Sequence, residues 1–129
     1  MINEKSYRLN FTNEGGVCGT IRILKNICGL WLIQESQRAW ERGGEKLSFA
    51  QIAAAAVKAK PFVAVIDPDS PDFAAPGDMP ARIRAFCKKT GQKVPATTGE
   101  IARVIYESLA LKYRRIFGFL EELTERRIN

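Results

Sequence analysis

The chain has 129 residues, 46% hydrophobic and 26% charged, which excludes a disordered tail or a fibrous repeat and sets it as one domain or part of one. Its net charge of +6 raises nucleic acid as a partner. However, Lys58, Lys60, Arg82, Arg84, Lys88, Lys89, Lys93, Arg114, Arg115, Arg126 and Arg127 are scattered without stacking aromatics or a reader motif, so nucleic acid is not the expected ligand.

In chain order, Tyr7, Leu9 and Phe11 alternate with polar residues and predict a short half-buried strand before the Gly15-Gly16 turn. Asn13 to Gly16 suit either a plain hairpin turn or a backbone approach to phosphate; no Walker-type Lys and Ser/Thr follow, so no catalytic role is assigned there. A helix is then expected from about Thr20 to Arg42, stopped by Gly43-Gly44. Ile23, Ile27 and Leu30 fall on one side of it, while Leu24, Trp31, Leu32 and Ile33 spread over the rest. Such a helix needs cover nearly all round, more than a chain of this length supplies. Gln34 falls inside the apolar stripe, where an amide costs about 1–3 kcal/mol unless it finds a partner, which points to a cleft, a ligand or a buried polar network. Asn26 precedes Gln34 by eight positions, about 12 Å along the axis and roughly 80° around it, a spacing that could address the two ends of an extended ligand pair.

Ser48 and Gln51 have capping-box spacing and open a helix of about Phe49 to Ala59, alanine-rich at Ala53 to Ala56 and ended by Pro61. Phe62 to Ile66 reads as a brief extended segment. Pro68, Pro71, Pro76 and Pro80 enforce an irregular loop over Asp67 to Pro80. Asp67, Asp69, Asp72 and Asp78 in that loop resemble a loose cation site, but Asp beside Pro is ordinary turn chemistry and EF-hand ligand order is missing, so no metal ligand is assigned. Asp78 and Pro80 signal entry into a helix over Ala81 to Thr90, ended by Gly91. A second capping box at Thr97-Thr98-Gly99-Glu100 opens a last helix that could reach Arg127, with Ile101, Ile105, Leu109, Ile116, Phe119, Leu120 and Leu123 on one side. The expected fold class is therefore mainly α with short β segments.

Cys18, Cys28 and Cys87 form no close pair, and the chain has no histidine, so a disulfide framework, a transition-metal site and a histidine general base are not expected. No apolar run reaches the ~18 residues of a membrane span, and the N-terminus MINEKSYRLN lacks a signal peptide's apolar segment. A cytoplasmic location is the default expectation.

Several runs together carry a family resemblance. Phe11-Thr12-Asn13-Glu14-Gly15-Gly16, Gly19-Thr20-Ile21-Arg22, Leu24-Lys25-Asn26-Ile27 and Gly29-Leu30-Trp31-Leu32-Ile33-Gln34 come first. Ile66-Asp67-Pro68-Asp69, Phe73, Pro76-Gly77-Asp78-Met79-Pro80, Cys87-Lys88-Lys89-Thr90-Gly91-Gln92 and Glu107-Ser108-Leu109-Ala110-Leu111-Lys112-Tyr113 follow. In order and spacing these resemble the rhamnulokinase branch of the FGGY carbohydrate kinases, over about Asn10 to Arg127. The resemblance implies an internal piece of the C-terminal domain of an α/β, ribonuclease H-like sugar kinase of the actin and hexokinase type. It also implies transfer of the ATP γ-phosphoryl group, with Mg²⁺, to the 1-hydroxyl of L-rhamnulose while an aspartate accepts the hydroxyl proton.

By the same resemblance Asn26 matches the position that contacts the sugar and Gln34 the one that contacts ATP. The catalytic aspartate, a phosphate-binding segment and a Ser-Gly-Thr-Trp segment are expected before residue 1, and a glycine-rich nucleotide segment after residue 129. The isolated chain is accordingly expected to be inactive, to bind no cofactor tightly and to contain no catalytic residue. Some relatives bridge the Cys87 position to the next helix; the matching place here is Val104, so no such disulfide is implied. A stand-alone helical protein-binding or regulatory module without catalysis is the other reading. Either one predicts self-association through uncovered apolar surface.

Overall fold

The computed structural model describes residues 3–128. Its elements are α1 (Glu4–Arg8), β1 (Thr12–Gly15), β2 (Ile21–Leu24), α2 (Trp31–Arg42), α3 (Phe49–Lys58), α4 (Met79–Lys89) and α5 (Thr98–Thr124), with 3₁₀ turns at Val17–Gly19 and Pro71–Phe73. The chain is helix-rich with a single two-stranded sheet among the described residues. It divides into two units: Cys28–Lys112, and a smaller one joining the residues up to Ile27 with those from Tyr113 on.

In the smaller unit the segment expected as a strand at Tyr7 to Phe11 is instead the last two residues of α1, Tyr7 and Arg8, followed by a turn at Leu9 and Asn10. Asn3 caps that helix, its side chain accepting the Ser6 N–H at 2.7 Å while the Ser6 hydroxyl oxygen accepts the Asn3 N–H at 3.2 Å. This reciprocal pair favours a helical turn over an extended chain. Asn10, at φ 56°, then turns the chain into β1. Phe11 is buried, and Tyr7 is 87% exposed, so the alternation does not mark one face.

The helix expected from Thr20 to Arg42 does not form as one element. Residues Ile21–Leu24 are strand β2, antiparallel to β1 with Thr12 opposite Leu24 and Gly15 opposite Ile21. Asn13 to Gly15, expected as the turn itself, are strand residues; the turn follows them at Val17–Gly19 and is closed by the Gly16 N–H donating to the Thr20 carbonyl at 2.7 Å. The β-branched Ile21 and Ile23 suit a strand. Lys25 then anchors the exit, donating to the Leu9 carbonyl at 2.6 Å with its ammonium 5.2 Å from the Phe11 ring centroid. Residues 25–30 are irregular, and α2 begins only at Trp31. The excess of apolar faces arises from reading a strand, a connector and a helix at one period. Taken alone, α2 is amphipathic: Leu32, Ile33, Ser36 and Trp40 are buried, and Gln34, Arg38 and Glu41 are exposed. Phe11, Ile116 and Leu123 form the small core here, with Ile23, Ile27 and Leu120 against them.

In the larger unit both capping boxes form where expected. Ser48 Oγ accepts the Gln51 N–H at 3.2 Å and Gln51 accepts the Ser48 N–H at 2.9 Å. Thr97 Oγ1 accepts the Glu100 N–H at 3.1 Å, and Glu100 accepts the Ala96 and Thr97 N–H groups at 2.7 and 3.4 Å. The Ala96 bond, then that from Thr97, hold the Glu100 carboxyl below its usual value against the opposing effect of burial. A Cβ added at Gly99 would lie 2.6 Å from the Ala55 carbonyl oxygen, so α5 starts in direct backbone contact with α3.

Met79 opens α4 two residues earlier than the sequence signals indicate; Asp78 caps it by accepting the Ala81 N–H at 3.0 Å. Gly91, at φ +68°, follows its end. Residues 62–66 pair with no strand; the Gln92 amide accepts the Val65 N–H and donates to the Val65 carbonyl, both at 2.8 Å, in place of one. Leu32, Ile33, Ile52, Phe73, Met79, Ile83, Cys87, Ile101 and Ile105 fill the core. Each fully buried aliphatic contributes about 1.5–3 kcal/mol of transfer free energy.

Candidate functional site

The loop of residues 67–78 serves as a splint along α2. Just ahead of the helix, Asp69 Oδ1 accepts the Cys28 N–H at 2.8 Å. In its first turn the Trp31 Nε1–H donates to the Phe73 carbonyl at 3.0 Å. Midway, Glu35 accepts the Gly77 N–H at 3.2 Å and pairs with Arg38, while Arg42 donates to the Gly77 carbonyl at 3.1 Å. Gly77 has φ +139°, a conformation that favours glycine. Glu35 is 2% exposed. The Arg38 hydrogen bond, then that from Gly77, hold its carboxyl below the usual carboxylate range, outweighing the burial that opposes them.

Asp69 is itself held by Lys112 on α5. Lys112 Nζ lies 2.9 Å from Asp69 Oδ2 and 2.9 Å from Asp67 Oδ1, and Asp67 also accepts the Asp69 N–H at 3.1 Å. Burial lowers the Lys112 ammonium pKa, but its bonds to Asp67 and Asp69 outweigh that and leave it above the ordinary 10.5. Burial first, and the Asp69 charge second, push the neighbouring Cys28 thiol up, so it is a poor nucleophile. Burial raises the free thiol of Cys87 in the same way.

Gln34 projects from the first turn of this braced helix, one turn before Arg38. It is exposed and has no side-chain partner among the described residues. Asn26 is likewise exposed and unpartnered, in the irregular segment after β2, and belongs to the smaller unit. Neither amide sits in a buried polar network. The spacing of the two along a common helix does not exist, because Asn26 lies outside α2. What each presents is an outward carboxamide, two donors and one acceptor oxygen, the equipment for hydroxyl, phosphate or nucleobase edges.

The four aspartates of the proline loop are engaged in structure: Asp67 and Asp69 with Lys112, Asp72 with Ser70, and Asp78 at the start of α4. No group of three or more possible ligands among the described residues is placed to hold a metal ion. Several scattered cations turn out to be backbone anchors. Arg103 donates to the carbonyls of Ala56, Val57 and Ala59 at 3.0–3.2 Å, capping α3, and pairs with Glu107 at 2.8 Å. Arg84 binds the Pro95 and Ala96 carbonyls, and Arg82 those of Ala75 and Pro76.

All 129 residues match the family model for the C-terminal domain of the FGGY family of carbohydrate kinases. The chain belongs to the FGGY family of carbohydrate kinases. The family's C-terminal domain has the actin- and hexokinase-like sugar kinase fold. This FGGY chain is 46% identical to a rhamnulokinase of Bacteroides thetaiotaomicron over 128 residues, which are 99% of the chain and 26% of that protein. It is 43% identical to a rhamnulokinase of Enterococcus faecalis over 129 residues, 98% of the chain and 26% of the relative. Against a rhamnulokinase of Bacillus subtilis the identity is 39% over 128 residues, again 99% and 26%. The FGGY chain thus spans about a quarter of the length of the curated relatives it matches. No helix among its described residues is long and apolar enough to cross a membrane.

Proposed function

We propose that this chain is part of the C-terminal domain of an ATP-dependent rhamnulokinase. That enzyme transfers the γ-phosphoryl group of ATP to the 1-hydroxyl of L-rhamnulose in rhamnose catabolism in the cytoplasm. The observation that carries the reading is 46% identity along 99% of the chain to a protein named for that activity. Phosphoryl transfer depends on positioning and on neutralising charge as it shifts. The role assigned to this chain is positioning: Gln34 hydrogen-bonds the nucleotide and Asn26 the sugar. Their exposed, unpartnered carboxamides support those assignments. Mg²⁺ accompanies ATP in the whole enzyme, but the carboxylates described here are committed to Lys112, helix caps and turns, so no metal ligand is assigned to them. The FGGY assignment favours this reading over a non-catalytic regulatory module.

The isolated chain then lacks the aspartate that would accept the hydroxyl proton. Incubated with Mg·ATP and L-rhamnulose, it should form no sugar phosphate by ³¹P NMR; robust turnover would reject the fragment reading. Weak but saturable Mg·ATP binding, lowered about tenfold by Gln34→Ala, is the expected calorimetric result for a lost hydrogen bond to a charged ligand. Equal binding by the variant would remove Gln34 from the site. Exposed Val57, Phe62 and Leu111 also support self-association of the isolated chain.

A further inference from the structure

The contacts around Asp69 point to a role that the motif as a turn does not explain. One carboxylate oxygen takes the Cys28 N–H at 2.8 Å, and the other takes Lys112 Nζ at 2.9 Å. Cys28 lies three residues before α2, and its N–H belongs to no helical or strand ladder. A charge-assisted bond at that point fixes where the chain enters the helix, and so the direction in which the first turn projects Gln34. Lys112 is only 20% exposed and comes from α5, the longest helix of the described chain. It holds Asp69 on a rigid element rather than on the loop alone. The second fastening, Trp31 Nε1–H on the Phe73 carbonyl, comes from the same loop.

We infer that Asp69, locked by Lys112, is a positioning residue for the Gln34 carboxamide, and thereby sets nucleotide affinity without touching the nucleotide. The inference rests on the reading of Gln34 as a nucleotide contact. All the groups involved lie in the larger unit, so the role requires nothing of the other one. The two aspartates are not equivalent in this arrangement. Asp67 shares Lys112 and braces the Asp69 backbone, and Asp69 accepts the Cys28 N–H at the entry to α2.

The test is titration of the ¹⁵N-labelled 129-residue chain with Mg·ATP, read at the Gln34 side-chain amide, with thermal melts confirming that each variant is folded. Asp69→Ala should weaken binding about tenfold, the effect of one charge-assisted hydrogen bond. Lys112→Arg, which keeps a cation opposite Asp69, should bind like the unaltered chain. In a Gln34→Ala background, read calorimetrically, Asp69→Ala should cause no further loss, because its effect passes through that side chain. Asp69→Asn retains an acceptor for Cys28 but drops the charge opposite Lys112; it serves if Asp69→Ala does not fold, with a smaller loss expected. Unchanged binding by the folded Asp69 variant, or an equal loss with and without Gln34, overturns the positioning role while leaving Gln34 as a contact. If Gln34→Ala binds like the unaltered chain, the nucleotide reading falls, and this inference falls with it.

Discussion

Glu35, next to Gln34 in α2, fastens that helix to the proline loop at Gly77. It is almost wholly buried, and its partners, Arg38 and the Gly77 N–H, both stabilise the charged form. Because its folded value is depressed, it contributes stability above the unfolded glutamate value of about 4.3, and that contribution is lost as pH falls through the folded value. Glu35→Gln should therefore melt below the unaltered chain at about pH 7, and the gap should narrow on acidification toward about pH 3. Thermal melts across that range check it; a gap independent of pH would mean that the carboxylate charge is not what holds Gly77. Glu35 is hard to single out in the sequence. It sits beside Gln34 in a stretch whose apparent helical wheel was offset by a strand, and its partner Gly77 is remote in the chain.

At the scale of elements, local signals and non-local ones separate cleanly. The Ser48/Gln51 and Thr97/Glu100 boxes, the Asp78 cap and the glycine after α4 act within one turn of chain, and each is legible because its partners are sequence neighbours. The Thr20 to Arg42 reading failed for the opposite reason. What makes Ile21–Leu24 a strand is pairing with Thr12–Gly15, and what starts α2 at Trp31 is fastening to residues 69 and 73. Periodicity within the segment contains neither partner. Gly99 shows the same division: the sequence marks it as part of a cap, but only the fold places it against Ala55. Gly99→Ala should cost about 1–3 kcal/mol through overpacking, since backbone rather than a flexible side chain is in the way. Urea unfolding would measure it, and a neutral effect would show that α3 and α5 can part freely at that point.

For the whole molecule, the inference that an over-apolar helix needed outside cover does not survive, because no such helix forms. Kinship instead rests on sequence similarity along nearly the full chain, and the proposed ligand contacts on two outward amides, one in each unit, whose roles come from family resemblance rather than from any local chemical signature. The Asp69–Lys112 lock was invisible because Asp67-Pro68-Asp69 reads as turn chemistry and Lys112 as one cation on a wet helix face. Apolar surface does remain exposed: Val57 at 77% and Phe62 at 66%. Sedimentation should show concentration-dependent association of the isolated chain, reduced by Val57→Lys. A chain that stays monomeric at every concentration would refute this expectation.

Gln34 is proposed to address a nucleotide and Asn26 a sugar. The most direct measurement is a crossed NMR titration of the two side-chain amides with Mg·ATP and, separately, with L-rhamnulose. The account predicts that Gln34 responds to Mg·ATP alone and Asn26 to L-rhamnulose alone; an exchanged pattern, or silence of both amides at saturating ligand, would contradict it.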